Sequence, residues 1–135
     1  MSTRNWGVVR DCMRKEVTEV DGTMDVLSAL KTMKKVGATS LIVKRRDEKD
    51  EYGLLLFSDI AKKVLAKDRA PERVNVYEIM AKPVLTVRPD MQVRYCARLF
   101  ENFGISHAPV VEDGKIVGIV SFYLLVLNGL MPDLT

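Results

Sequence analysis

The sequence predicts an α+β fold of two tandem β-α-β-β-α repeats packed as one pseudo-two-fold body. Three observations carry this: an internal repeat, a helical apolar stripe inside each copy, and short apolar strands bounded by turn residues. Shifting the 135-residue chain by 67 positions aligns Val9 with Val76, Met13 with Met80, Lys15 with Lys82, Val17 with Val84 and Val20 with Val87. It also aligns Met24 with Met91, Val26 with Val93, Gly37 with Gly104 and Val43 with Val110. These are nine identities in the 35 positions from Val9 to Val43, where composition alone gives about two or three. Beyond Val43 the offset drops to 65, pairing Gly53 with Gly118 and Phe57 with Phe122. The first copy therefore has two extra residues within Lys44 to Tyr52, a charged stretch where a polar loop tolerates insertion.

Each copy reads alike from its N-terminal side. A lead-in segment ends in a small strand, Val17 to Val20 or Val84 to Val87. A helix follows, with Thr23 or Asp90 as the expected cap. Its apolar residues are Val26, Ala29, Leu30 and Met33, or Val93, Cys96, Ala97 and Phe100, the i, i+3, i+4, i+7 pattern of one buried face. Gly37 and Gly104 are the residue type that ends helices. Next comes a strand, Ser40 to Val43 or Ala108 to Val111. A turn follows, Glu112-Asp113-Gly114-Lys115 in the second copy, whose Asp-Gly favours a tight hairpin. A second strand, Gly53 to Phe57 or Ile116 to Ser121, leads into a last helix from about Asp59 or Leu124. The expected division is residues 8–66 for the first repeat, a polar linker over 67–74, and 75–130 for the second.

Composition narrows the classes. With 47% hydrophobic and 29% charged residues the chain is globular rather than disordered. At this length, folding buries roughly two-thirds of the surface of the unfolded chain. One histidine and two cysteines fall short of an all-nitrogen and sulfur zinc site, so no metal is expected. Cys12 and Cys96 make no disulfide framework, and Met1-Ser2-Thr3-Arg4-Asn5 does not resemble a signal peptide. The longest nearly apolar run, Ile116 to Leu127, is 12 residues, short of the roughly 20 that a membrane span needs. The expectation is a soluble cytoplasmic protein without a membrane segment.

The run from Gly104 to Ser121, with Gly104-Ile105-Ser106-His107-Ala108-Pro109-Val110-Val111 at its head, resembles the signature of cystathionine β-synthase (CBS) domains. So do the lead-ins Val9-Arg10-Asp11-Cys12-Met13 and Val76-Tyr77-Glu78-Ile79-Met80. Two tandem copies resemble a CBS pair, or Bateman module, over residues 8–130. The resemblance implies a regulatory module without catalytic activity. It would bind an adenosine-containing ligand such as AMP, ADP, ATP or S-adenosylmethionine in clefts between the repeats, form a homodimer through its helices, and signal to a separate effector protein.

In that family a Gly-apolar-apolar-Ser/Thr-x-x-Asp pattern serves the ligand. The Asp accepts from both ribose hydroxyls, and the Ser/Thr and helix start lie near phosphate. The first copy, Gly53-Leu54-Leu55-Leu56-Phe57-Ser58-Asp59, keeps the Asp and has Leu56 at the hydroxyl position, with Ser58 nearby. The second, Gly118-Ile119-Val120-Ser121-Phe122-Tyr123-Leu124, keeps Ser121 and has Leu124 for the Asp. The resemblance thus favours the cleft of Asp59. Adenine would lie against Met80, Ala81, Pro83, Val84 and Leu85, followed by Ile105, Ser106, Ala108 and Pro109. Phosphates would face Thr39, Ser40 and Ser58. Basic residues often stand at positions 39 and 40 in ligand-binding relatives, and this chain has none there. His107 matches Ser40 in the second copy. It falls in a second cleft with Arg14, Thr18, Ser121 and Tyr123, near enough to the shared axis to serve either cleft.

Plainer roles stand beside these. Asp59 opens a helix and serves as an N-cap on that ground alone. His107 suits a hydrogen-bonded structural position, and no nucleophile–base pair is evident. Cys96 reads as core, and repeat-equivalent methionines as packing. Asp47, Glu48, Asp50 and Glu51 read as a solvated, self-paired loop rather than a cation site. Lys44-Arg45-Arg46 lacks the aromatic neighbours and charge surplus of a nucleic-acid patch. The helix Leu124 to Met131 is apolar all round and calls for a second subunit, whereas its counterpart carries Lys62, Lys63 and Lys67 on a polar face. The competing reading is a homodimeric adaptor with a degenerate, non-binding pocket.

Overall fold

The computed structural model describes residues 5–131, so most of the Met1 to Asn5 segment lies outside them. Two compact units form, one from residues 18–84 and the other pairing residues up to 17 with those from 85 onward. Each unit joins the lead-in of one sequence copy to the body of the other.

In the first unit, β1 (Glu19–Val20) runs parallel to β2 (Ser40–Val43), and β3 (Gly53–Leu56) pairs antiparallel with β2 in the register Ser40↔Leu56 to Val43↔Gly53. In the second, β4 (His107–Glu112) and β5 (Lys115–Ser121) form the equivalent antiparallel pair. Their Asp113-Gly114 turn has φ of 53° and 76°, the two positive values a tight hairpin requires.

The strand expected at Val84 to Val87 shrinks to one parallel bridge, Val87↔Val110. The cause is Pro109. In the first unit Ile42 N–H donates to Thr18 O at 2.9 Å and Lys44 N–H to Val20 O at 2.9 Å. Val111 N–H repeats the second bond to Val87 O at 2.9 Å. Pro109 stands where Ile42 does, has no N–H, and cannot extend the ladder.

The long helices follow the apolar pattern. Helices α1 (Val9–Cys12) and α4 (Val76–Ile79) are the lead-ins; α2 (Val26–Val36) and α5 (Val93–Phe103) bury Val26, Ala29 and Met33, and Val93, Cys96 and Phe100. Both end on a left-handed glycine, Gly37 at φ 71° and Gly104 at φ 63°. Their N-caps are Asp25 and Gln92 rather than Thr23 and Asp90. Asp25 accepts from Ser28 N–H at 2.9 Å, whereas Asp90 pairs with Arg88 at 3.1 Å. The chain spends two more residues turning before the helical geometry starts.

The last helices start two residues earlier than expected, α3 at Phe57 (Phe57–Ile60) and α6 at Phe122 (Phe122–Leu130). Helix α3 passes into a π-helical turn, Ala61–Leu65, closed by Ala66 N–H donating to Ala61 O at 2.9 Å. The linker is partly structural: Pro71–Arg73 is a 3-10 turn, and buried Val74 accepts from Val26 N–H at 2.8 Å. Two apolar cores result, one around Met33, Leu41, Leu55 and Ile79, the other around Val9, Cys96, Phe100 and Val120.

Candidate functional site

Each unit presents a copy of the same surface: a lead-in laid along the last strand, the start of the middle strand, and the strand–helix junction. In the unit of residues 18–84, Ala81 and Leu54 exchange two N–H···O bonds of 2.9 Å. Gly53 permits this approach, because a methyl there would sit 2.6 Å from Met80 Sδ and 3.3 Å from Ala81 O. In the other unit Arg14 and Ile119 exchange bonds of 2.8 and 2.9 Å. A methyl on Gly118 would sit 2.7 Å from Met13 Sδ and 2.8 Å from Arg14 O.

The junctions divide one capping arrangement between them. In a complete capping box a hydroxyl at the N-cap and an acid three residues on satisfy each other's backbone N–H. The first unit keeps the acid. Its N-cap is Leu56, and Asp59, third in the helix rather than its cap, accepts from Leu56 N–H at 3.0 Å through Oδ2. The second unit keeps the hydroxyl: Ser121 is the N-cap and accepts from Leu124 N–H at 3.2 Å. Thus the residues singled out for a ligand already have local structural work. Ser121→Ala should lower stability by about 1 kcal/mol, read from the urea midpoint.

Asp59 retains acceptor capacity. Its side chain is 18% exposed, and Oδ1 lies 3.9 Å from Lys63 Nζ, beyond a hydrogen bond. Thr39 and Ser58 are exposed and Ser40 half-buried beside the same junction, where Phe57 N–H donates to Thr39 O at 3.3 Å. Met80 and Val84 are half-buried, and Ala81 and Pro83 exposed. These eight predicted residues share one unit. Leu85, Ile105, Ser106, His107, Ala108, Pro109, Arg14, Ser121 and Tyr123 belong to the other, and Thr18 falls with the first. Ala108 is fully buried in its unit's core and offers its backbone alone.

His107 is half-buried, which holds its ring below the ordinary histidine pKa. Its Nδ1 lies 2.8 Å from Ser106 Oγ, a pairing of neighbours that sequence reading missed. Among the described residues no acid orients the ring, so the contact with Ser106 forms no triad. Cys12 and Cys96 are buried, which pushes both thiols up, Cys96 to about 11. Such thiols pack rather than react. Among the described residues no three His, Cys, Asp or Glu converge as a metal site.

The charged loop departs from expectation at one residue. It is self-paired, with Arg46 Nε on Asp50 at 3.0 Å and Lys49 N–H on Asp47 at 2.8 Å. Asp50 is not solvated: its side chain is 8% exposed and its second oxygen takes Lys82 Nζ at 2.7 Å. This pair joins the loop to the lead-in that carries Lys82. Hydrogen bonds from Arg46 and then Lys82 hold the Asp50 carboxyl far below the usual carboxylate range. A depressed folded pKa stabilises above the unfolded value near about 4, and the stabilisation is lost as pH falls below it. The gap in melting temperature between wild type and Asp50→Asn should therefore shrink between about pH 5 and pH 2. Melting scans across that range check it.

The comparisons with known proteins converge. A family model for the CBS domain matches residues 9–66 and 76–126. An uncharacterised protein of Methanopyrus kandleri is 32% identical over 84% of this chain and 58% of its own length. A homoserine O-acetyltransferase of Methanosalsum zhilinae is 34% identical over 83% of this chain and 22% of its own. The chain thus spans under two-thirds of the length of these relatives. Among solved structures, a hexameric CBS-CP12 protein from bloom-forming cyanobacteria superposes with TM-score 0.89 at 36% identity, over 93% of this chain and 73% of that one. A CBS domain pair in complex with 5′-methylthioadenosine and S-adenosyl-L-methionine superposes with TM-score 0.74 at 28% identity, over 87% and 91%. Family, fold and the tandem arrangement therefore agree: the chain belongs to the CBS domain family and carries two CBS repeats.

Proposed function

We propose that this CBS pair is a regulatory sensor, not an enzyme, that binds an adenosine-containing ligand on the surface of residues 18–84 and signals to a separate protein. Asp59 accepts from the ribose hydroxyls, and the base lies toward Met80, Ala81, Pro83 and Val84. The observation that carries this is the Asp59 carboxylate, with Oδ2 held by Leu56 N–H and Oδ1 3.9 Å from Lys63 Nζ in a side chain 18% exposed. A diol needs such an acceptor in fixed position. The neighbour with bound methylthioadenosine and S-adenosylmethionine supports the ligand class. Thr39 and Ser40 supply no cation for phosphate, which favours AMP or a phosphate-free adenosine over ATP.

The test is thermal stability with AMP, ADP, ATP, NAD and S-adenosylmethionine, repeated on Asp59→Ala. A ligand at 100 times its Kd should add about 2.7 kcal/mol, and Asp59→Ala should abolish the gain. A gain that survives Asp59→Ala refutes this site. No gain with any ligand favours the second reading, a homodimeric adaptor. That reading has its own support on α6, where Tyr123, Val126 and Leu130 are 71%, 54% and 52% exposed along one face. An apolar stripe of this kind suits a second copy of the chain. Sedimentation giving only a 15 kDa species would exclude the homodimer.

A further inference from the structure

Lys63 makes two contacts that the proposed ligand site would share. From the π-helical turn, its Nζ donates to Ile79 O at 3.0 Å and lies 3.9 Å from Asp59 Oδ1. Ile79 ends α4, immediately before Met80 and Ala81. One ammonium group therefore stands between the ribose acceptor and the lead-in that the base would pack against.

The other unit shows which of these contacts the fold itself requires. At offset 65, Lys63 corresponds to Asn128, and at offset 67, Ile79 corresponds to Cys12. Asn128 Nδ2 donates to Cys12 O at 3.1 Å. Both units thus close the carbonyl at the end of the lead-in helix with a side chain from the last helix. A neutral amide suffices for that closure. The ammonium occurs where the acid occurs: Lys63 with Asp59, Asn128 with Leu124. Capping the carbonyl accounts for the donor but not for its charge.

We propose that Lys63 is a positioning residue of the ribose site, its charge holding Asp59 in the accepting orientation while its hydrogen bond to Ile79 O anchors the ammonium just before the Met80–Ala81 wall. The ligand part rests on the function proposed above. Filling Asp59 with a ribose would then be felt by the lead-in, and a loosened lead-in would weaken the ribose contact in return.

Two variants separate charge from closure. Lys63→Asn keeps a carbonyl donor, as Asn128 does, and removes the charge; Lys63→Met removes both. Titration calorimetry with adenosine and with AMP, alongside melting temperature, should show Lys63→Asn melting close to wild type while weakening both ligands about tenfold. Equal affinities in wild type and Lys63→Asn would overturn the proposal, leaving a structural cap. A loss confined to AMP would also overturn it, making Lys63 a phosphate contact. Hydrogen exchange without ligand tests the tie independently: the Ala81 amide should exchange faster in Lys63→Met, and unchanged exchange refutes it. If wild type binds neither adenosine nor AMP, the role toward their ribose is overturned, while faster exchange in Lys63→Met would still establish the tie to the lead-in.

Discussion

Phe100→Ala is expected to lower the unfolding free energy by about 3 to 5 kcal/mol. The ring is fully buried in the core of α5 and packs edge-on against Phe122, with centroids 5.3 Å apart and planes at 77°. Truncation removes the transfer energy of the ring and leaves a void that helices α5 and α6 cannot close without moving. The edge-to-face pair adds its own part, about 0.5 to 1.5 kcal/mol. Domains of this size have total stabilities of about 5 to 15 kcal/mol, so the variant should be near the limit of folding. Urea denaturation would show a lower midpoint with an unchanged slope; an equal midpoint would mean that the core repacks fully.

Gly118→Ala is expected to cost about 1 to 3 kcal/mol, and more than Gly53→Ala. Both glycines admit a lead-in segment against the last strand, but the obstacles differ. At Gly118 the added methyl meets the backbone carbonyl of Arg14 at 2.8 Å, and that carbonyl is held by Ile119 N–H. It cannot retreat without breaking the bridge. At Gly53 the nearest atom is the end of the Met80 side chain, while the carbonyl of Ala81 is 3.3 Å away. A thioether can rotate aside. The same urea measurement on both variants checks the ranking; equal losses would show that the two bridges yield alike.

Much of the fold was legible because its signals are local. The stripe from Val26 to Met33 and its counterpart from Val93 to Phe100 state helix and buried face together. Gly37, Gly104 and the Asp113-Gly114 turn sit where positive φ is needed. The repeat then fixed the order of elements without any tertiary information. Boundaries drifted where the deciding partner was remote or unusual. Thr23 and Asp90 looked like caps, but Asp25 and Gln92 take that place, because the preceding turn is longer. The strand at Val84 was lost to a missing N–H on Pro109, two elements away.

The candidate site was legible in residue type and only partly in role. Asp59 was marked by its motif, yet the bond it makes is to Leu56 N–H, an arrangement that a Leu N-cap does not announce. Asp50 looked like a solvated loop acid, and its partner Lys82 lies 32 positions on. Lys63 looked like a surface charge on an amphipathic helix until its Ile79 partner came into view.

Sequence alone determined that two copies of one β-α-β-β-α unit exist, which faces they bury and which copy keeps the acid. These follow from periodicity and from residue chemistry, both read within a few positions. Tertiary structure alone decided that each lead-in packs with the body of the other copy, that Asp50 pairs with Lys82, and that Lys63 closes the Ile79 carbonyl just before Met80. Hydrogen bonds and ion pairs act over about 3 Å, and only folding brings residues that far apart in the chain to that distance.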